Sequence, residues 1–135
     1  MPLKKVFEND YDKLPWHLLI YEDCNGKQDV AEFLIKGIQP NQRERFMFIL
    51  HSLAEHGPTY FTKPTFGTAG PKYRNYSMER IAVNQRRIYL SLDRQKKEMI
   101  LIIGRNKKTQ KTAKKHINEF QNTIDKIIKE IGEEK

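Results

Sequence analysis

Cysteine is almost missing from this sequence: Cys24 stands alone, so no internal disulfide can form. Long apolar runs are missing too. The longest, Met99 to Ile103, is a strand's worth, whereas a membrane-spanning helix needs about 20 residues. The N-terminus Met1-Pro2-Leu3-Lys4-Lys5 leads into polar residues without the apolar segment of a secretory signal. These absences predict a cytoplasmic protein with no membrane partner. No GxGxxG or Walker-type loop is present to cradle a nucleotide, and no HExxH or CxxC spacing offers a metal site. His51 and His56 lie five residues apart in a predicted helix and so do not share a face. The expectation is no cofactor and no metal.

Acidic residues are scarce in one place only. Residues 1–57 carry 7 Lys+Arg against 9 Asp+Glu, and residues 117–135 carry 3 against 5. The stretch from Pro58 to His116 carries 15 against 3, so it alone accounts for the net charge of +8. It ends in Arg105, Lys107, Lys108, Lys111, Lys114 and Lys115, with no acid among them. Like charges held this close repel, and an anionic partner relieves that repulsion. A solvated, solubility-giving surface is the plainer alternative.

With 135 residues, 38% hydrophobic and 31% charged, the chain reads as one globular domain over 1–135, loosely held over 1–14. His17 to Tyr21 reads as a first strand, closed by the turn cluster Asp23-Cys24-Asn25-Gly26. Val30, Phe33, Leu34 and Ile38 predict a short amphipathic helix over 29–38. Pro40 breaks it. A second helix from about Gln42 to His56 carries Phe46, Ile49, Leu50 and Leu53 on one stripe, with Gly57 as its stop. Pro58 to Pro71 holds three prolines and two glycines and is expected to be a long loop.

Beyond that loop the period changes to two. Arg80 to Val83 and Arg87 to Leu92 alternate around a turn at Asn84-Gln85. Glu98 to Ile103 is apolar on both faces, which predicts the middle of a sheet. From Thr112 onward Ala113, Ile117, Phe120, Ile124, Ile127, Ile128 and Ile131 mark a long amphipathic helix. The order β-α-α-β-β-β-α predicts an α+β fold, a small and mostly antiparallel sheet packed against helices.

Strand parity then makes a statement about chemistry. If Ile88, Leu90 and Leu92 face the core, Arg87, Tyr89 and Ser91 face the other way. Ile81 and Val83 likewise leave Arg80 facing out. Paired as a hairpin, the strands would line one open surface with Arg80, Arg87 and Tyr89, and the third strand would bring Arg105, Lys107 and Lys108 to its rim. Such a surface can hold a phosphate and its developing charge; the same pattern also fits ordinary solvated charges. Upstream, Tyr60, Phe61, Lys63, Phe66, Lys72, Tyr73, Arg74 and Tyr76 interleave rings with cations, as proteins do that stack bases while tracking a backbone. Rings that merely hold down a loop would read alike. Cys24, in a turn near acids, reads as a spectator. His116, beside Lys114 and Lys115, reads as a helix-surface histidine, with a proton carrier as the alternative.

The run Gly104-Arg105-Asn106-Lys107-Lys108-Thr109-Gln110-Lys111-Thr112 resembles the "KKTQKT" signature of HigB-like toxins in the RelE/ParE superfamily. Glu79-Arg80-Ile81 is similar to that family's "ELR" strand, and Arg87-Ile88-Tyr89 to its "YR-aromatic" strand. The resemblance covers about Pro15 to Lys129, with Ala113 standing where the family usually has proline. It implies a RelE-like fold and the toxin of a type II toxin–antitoxin pair. It also implies a metal-independent endoribonuclease that cuts mRNA in the ribosomal A site and so stops translation. The resemblance matches Arg87 to the arginine that stabilises the transition-state phosphate and Arg80 to the one beside it, with Arg105 and Lys107 near a further basic position. Lys107 and Lys108, crowded by Arg105 and Lys111, are the candidate general bases, because neighbouring cations favour a neutral lysine. Tyr89 completes the catalytic candidates, sharing proton transfer or stacking on a base. Arg74, Tyr76, Arg86, Arg105, Lys111 and Lys114 are the expected RNA contacts. The implied partners are mRNA on the ribosome and a cognate antitoxin, a small helix-turn-helix protein with an acidic segment. A ParE-like gyrase inhibitor acting by protein contact, or a non-catalytic RNA-binding relative, would use the same fold.

Overall fold

The computed structural model describes residues 2–62, 65–107 and 110–134. Among these residues are six strands: β1 (Leu3–Lys5), β2 (His17–Tyr21), β3 (Phe66–Tyr73), β4 (Tyr76–Val83), β5 (Arg86–Asp93) and β6 (Glu98–Asn106). The same described residues hold three α-helices, α1 (Asp29–Lys36), α2 (Pro40–His56) and α3 (Gln110–Glu134), with a 3-10 helix at Glu8–Lys13. The strands form one sheet in the order β1-β2-β6-β5-β4-β3. Among the described strands only β2 and β6 run parallel; the other neighbouring pairs are antiparallel. The molecule is therefore α+β, as expected, and no helix among the described residues is long and apolar enough to cross a membrane.

The sheet is the middle of three layers. On one face α1 and α2 bury Phe33, Phe46, Ile49, Leu50 and Leu53 against Leu18, Ile81, Ile88, Leu90, Met99 and Leu101. On the other, α3 buries Phe120, Ile124 and Ile127 against Leu19, Met78, Ile100, Ile102 and Ile103. β6 lies centrally and is buried on both sides from Met99 to Gly104, which is why its sequence shows no alternation. A bulge between Tyr89 and Leu90 skips Ile102 in the pairing, so Ile102 and Ile103 both join the α3-side core. At Gly104 a Cβ would collide with the Phe33 ring, so only glycine lets α1 lie this close to the strand.

Three segments depart from the sequence reading. Phe66 to Tyr73 is a strand, not part of a long loop. Its position at the sheet edge accommodates Pro71, which has no ladder N–H to give, and its register shifts twice between Thr68 and Tyr73. Gly70 leaves room for Met78 and Ile117, which a Cβ would meet at 2.8 and 3.3 Å. The β3–β4 turn uses Arg74 and Asn75, both at positive φ (48° and 71°), the geometry of a tight two-residue hairpin. The N-terminal segment is not loose: β1 pairs with β2, and the Val6 N–H donates to the Leu18 carbonyl at 3.0 Å. Finally, Pro40 opens α2 instead of merely ending α1, because proline at the first helical position sacrifices no hydrogen bond. Gln39 and Gln42 cap that end reciprocally.

Candidate active site

The expected parity holds. Ile81, Ile88 and Leu90 belong to the α1/α2 core, while Tyr89 belongs to the α3 core. Arg80 pairs directly with Tyr89 across β4 and β5, and Arg87 pairs with Ala82 on one side and Arg105 on the other. Side chains directly opposite in neighbouring strands share a face. Arg80, Arg87, Tyr89 and Arg105 thus stand on one side of the sheet. At the end of β6 the Lys107 N–H donates to the Gln85 carbonyl at 2.7 Å, tying the start of the basic run to the β4–β5 turn.

That face is not open, however. The stripe of α3 lies across it, and Tyr89 is only 3% exposed. Its hydroxyl meets Nδ1 of His116 at 2.8 Å, with the rings edge-on at 5.3 Å. His116, expected on the helix surface, is likewise 3% exposed. The signal was present in the helical spacing. Ala113, His116, Phe120, Ile124 and Ile127 follow one another at intervals of three or four, the period of a buried stripe.

The electrostatics around this pair record how many cations converge. Burial pushes the Tyr89 phenol up, while Arg87, Arg80 and Arg105 pull it back toward the ionised form. Burial holds the His116 imidazole below its usual range. Glu119 opposes this, and Arg105, Lys115 and Lys107 add to it. Buried histidine surrounded by cations is therefore neutral near pH 7. Arg87 is itself lowered, first by burial and then by Arg80 beside it. Two polar atoms here have no hydrogen-bond partner although buried: Nη1 of Arg80 and Nε of Arg87. Leaving a buried guanidinium N–H unpaired is costly, and an anionic acceptor is the kind of partner that removes the cost. Nη1 of Arg87 is engaged, donating to the carbonyls of Asn84 and Arg86 at 2.5 and 3.0 Å.

Other expected contacts are placed elsewhere. Arg105 lies beside Arg87, yet its guanidinium is taken up by Asp29 at 2.6 Å and Glu119 at 2.5 Å. It clamps β6 to α1 and α3, and Asp29 also accepts the Gly104 N–H at 2.9 Å. Arg86 has the opposite parity and bonds Asn106 on the other face. Arg74 and Tyr76 sit at the far end of β4. There Arg74 pairs with Asp125 of α3 at 2.8 Å, and Tyr76 helps line a cavity of about 600 Å³. Lys114 is exposed on α3. Lys63, Lys108 and the side chain of Lys111 lie outside the described residues. Among the described residues no three His, Cys, Asp or Glu side chains are grouped to hold a metal ion. No family model matches this chain, and no curated protein or solved structure matches it either.

Proposed function

We propose that this protein is the toxin of a type II toxin–antitoxin pair, a HigB-like member of the RelE/ParE superfamily. In this reading it cuts mRNA on the ribosome without a metal and so inhibits translation in the cytoplasm. The observation that carries it is the pair of unpartnered guanidinium nitrogens on Arg80 and Arg87, diagonal neighbours on one sheet face. Both arginines fall on the strands that resemble the family's, and Lys107 opens the run that resembles its signature. The chemistry is attack of a ribose 2′-hydroxyl on its own 3′ phosphate, leaving a 2′,3′-cyclic phosphate and a free 5′-hydroxyl. Negative charge grows on the phosphate oxygens as the new bond forms. Donors already aimed at that position stabilise it without reorganising, and a largely desolvated site strengthens them. The ribosome orients the mRNA, and an antitoxin with an acidic segment would cover the same cations.

Brief expression should halt translation and leave mRNAs cut within codons. A growth arrest with intact mRNA and disturbed DNA supercoiling would replace the nuclease with a gyrase inhibitor. Arg87→Ala that still cuts and still arrests growth would remove the phosphate site from this face.

A further inference from the structure

We infer that the outward face of α2 and the segment after it form a self-complementary surface on which two copies of this chain pair, α2 antiparallel to α2. The inference goes beyond the nuclease reading and does not depend on it. Among the described residues, the large apolar side chains left exposed are Ile35, Met47, Phe48 and Tyr60. They belong to α1, α2 and the segment that follows α2, and none belongs to α3 or to a strand. Phe48 is 54% exposed and Tyr60 52%. Phe61, packed on the α1/α2 core, joins their rings: it lies 6.5 Å from Phe48 and 4.9 Å from Tyr60. His56 stacks on Tyr60 at 4.4 Å, and the Arg45 guanidinium lies over the Phe48 ring at 5.5 Å. Connected rings with a methionine and an arginine, bordered by charged side chains, are what the centre of a protein–protein contact is made of.

Charge says what covers this surface. Arg43 and Arg45 of α2 cancel Glu44 and Glu55. A nucleic acid or an acidic protein finds no excess of cations here. On a molecule of net charge +8, it is where a second copy meets little repulsion. The order of the charges then fits a two-fold axis. Glu44 and Arg45 precede Phe48 on the exposed side of α2, and Glu55 and His56 follow it. Among the described residues neither Glu44 nor Arg45 has an ion pair. Glu55 is held by His51 at 2.5 Å through one oxygen, which leaves the other 3.7 Å from His56. Lay two helices antiparallel with the axis level with Leu50. Arg45 then comes level with Glu55 of the second copy, about 15 Å further along the helix. Glu44 comes level with His56, and Phe48 with Ser52, whose small side chain leaves a hollow. One axis serves all three pairs, and symmetry makes each of them twice. A parallel pairing would set Arg45 on Arg45. Both copies turn their Arg80 and Arg87 faces away from the contact, because the sheet separates those faces from α1 and α2.

One helix face and a short segment make a small interface, near the lower limit of about 1,200 Å² for specific contacts, so association is expected at tens of micromolar. The test is sedimentation velocity of the full chain from about 1 to 500 µM, a range that brackets such an affinity. The weight-average mass should rise with concentration from the monomer's 16.1 kDa toward twice that value. Phe48→Ala should weaken association about 30-fold or more, as truncating a central aromatic anchor does. Arg45→Glu sets an acid against Glu55 and should weaken it about 10-fold. Adding Glu55→Arg to Arg45→Glu should recover most of that loss, a recovery that no folding defect can imitate. A chain that stays at 16.1 kDa up to the highest concentration would overturn the inference and leave this strip to a different protein. A dimer that Phe48→Ala leaves equally strong would overturn it by moving the contact off α2. A dimer lost in Arg45→Glu and not regained in the double variant would overturn the antiparallel register.

Discussion

On one face of the sheet α1 and α2 bury hydrocarbon around Phe46, Ile49, Leu50 and Leu53. On the other, α3 does so mainly from Phe120 onward, with Ile117 at the margin, while its first turns reach Tyr89 through His116 and Arg105 through Glu119. The first face contributes through apolar area removed from water. The second gives up part of that gain to hold guanidinium groups and a neutral imidazole out of solvent. Where a small domain accepts such a cost, with two buried N–H groups unmatched, function is the natural beneficiary. The two ends of α3 thus divide the work: the C-terminal part anchors, the N-terminal part frames the site.

That division can be broken at several points, and the largest effect should come from the anchor. Phe120→Ala, fully buried in the α3 core, should cost about 3–5 kcal/mol in urea unfolding. A loss below 1 kcal/mol would mean that α3 is only loosely seated. Arg87→Ala should do the reverse, leaving the unfolding midpoint near its original value or raising it while cleavage drops about 10²–10³-fold. Equal loss of stability and activity would make Arg87 a structural residue. Tyr89→Phe strands the buried Nδ1 of His116 and should cost about 1–3 kcal/mol.

The His116 imidazole adds a pH signature. Its folded-state pKa lies below the unfolded value near 6.5, so below that pH the unfolded chain binds the extra proton. Stability should therefore decline as pH falls from about 6.5 toward the folded pKa, then level off. His116→Gln should flatten this dependence, and a slope that persists would assign it to other groups. The smallest change belongs to the exposed pair at the other end of the strands. Asp125→Asn, which weakens the contacts to Arg74 and Tyr73, should barely move the melting temperature.

Much of this architecture was legible in the residues. The alternation of Arg87 to Leu92 against Arg80 to Val83 was enough to place two arginines and a tyrosine on one face, because a period of two admits no other arrangement in a paired hairpin. The run from Met99 to Ile103 announced a central strand. Phe66 to Tyr73 was not legible, since its glycines and proline oppose a strand and β4 alone holds it in the sheet. Arg105 looked like a free cation because its two acids are distant in sequence, one 76 residues upstream and one in the last helix. Arg86, one residue from Arg87, could be excluded only by the parity that placed its neighbour. Arg74 and Tyr76 follow a strand whose direction the composition did not reveal. His116 was hidden by the lysines before it, although its spacing from Phe120 was visible.

The parallel pairing of β2 with β6 has a kinetic consequence. It joins His17–Ile20 to Glu98–Leu101, closing a loop of about 80 residues, whereas the β3 to β6 meander closes through short turns. During synthesis β2 must wait for its partner until most of the chain has left the exit tunnel. The meander is then the expected nucleus, and the amino-terminal third docks late. Every cation in the cluster lies at or beyond Arg80, so a chain stalled before β6 carries only part of that cluster and no framework to hold it.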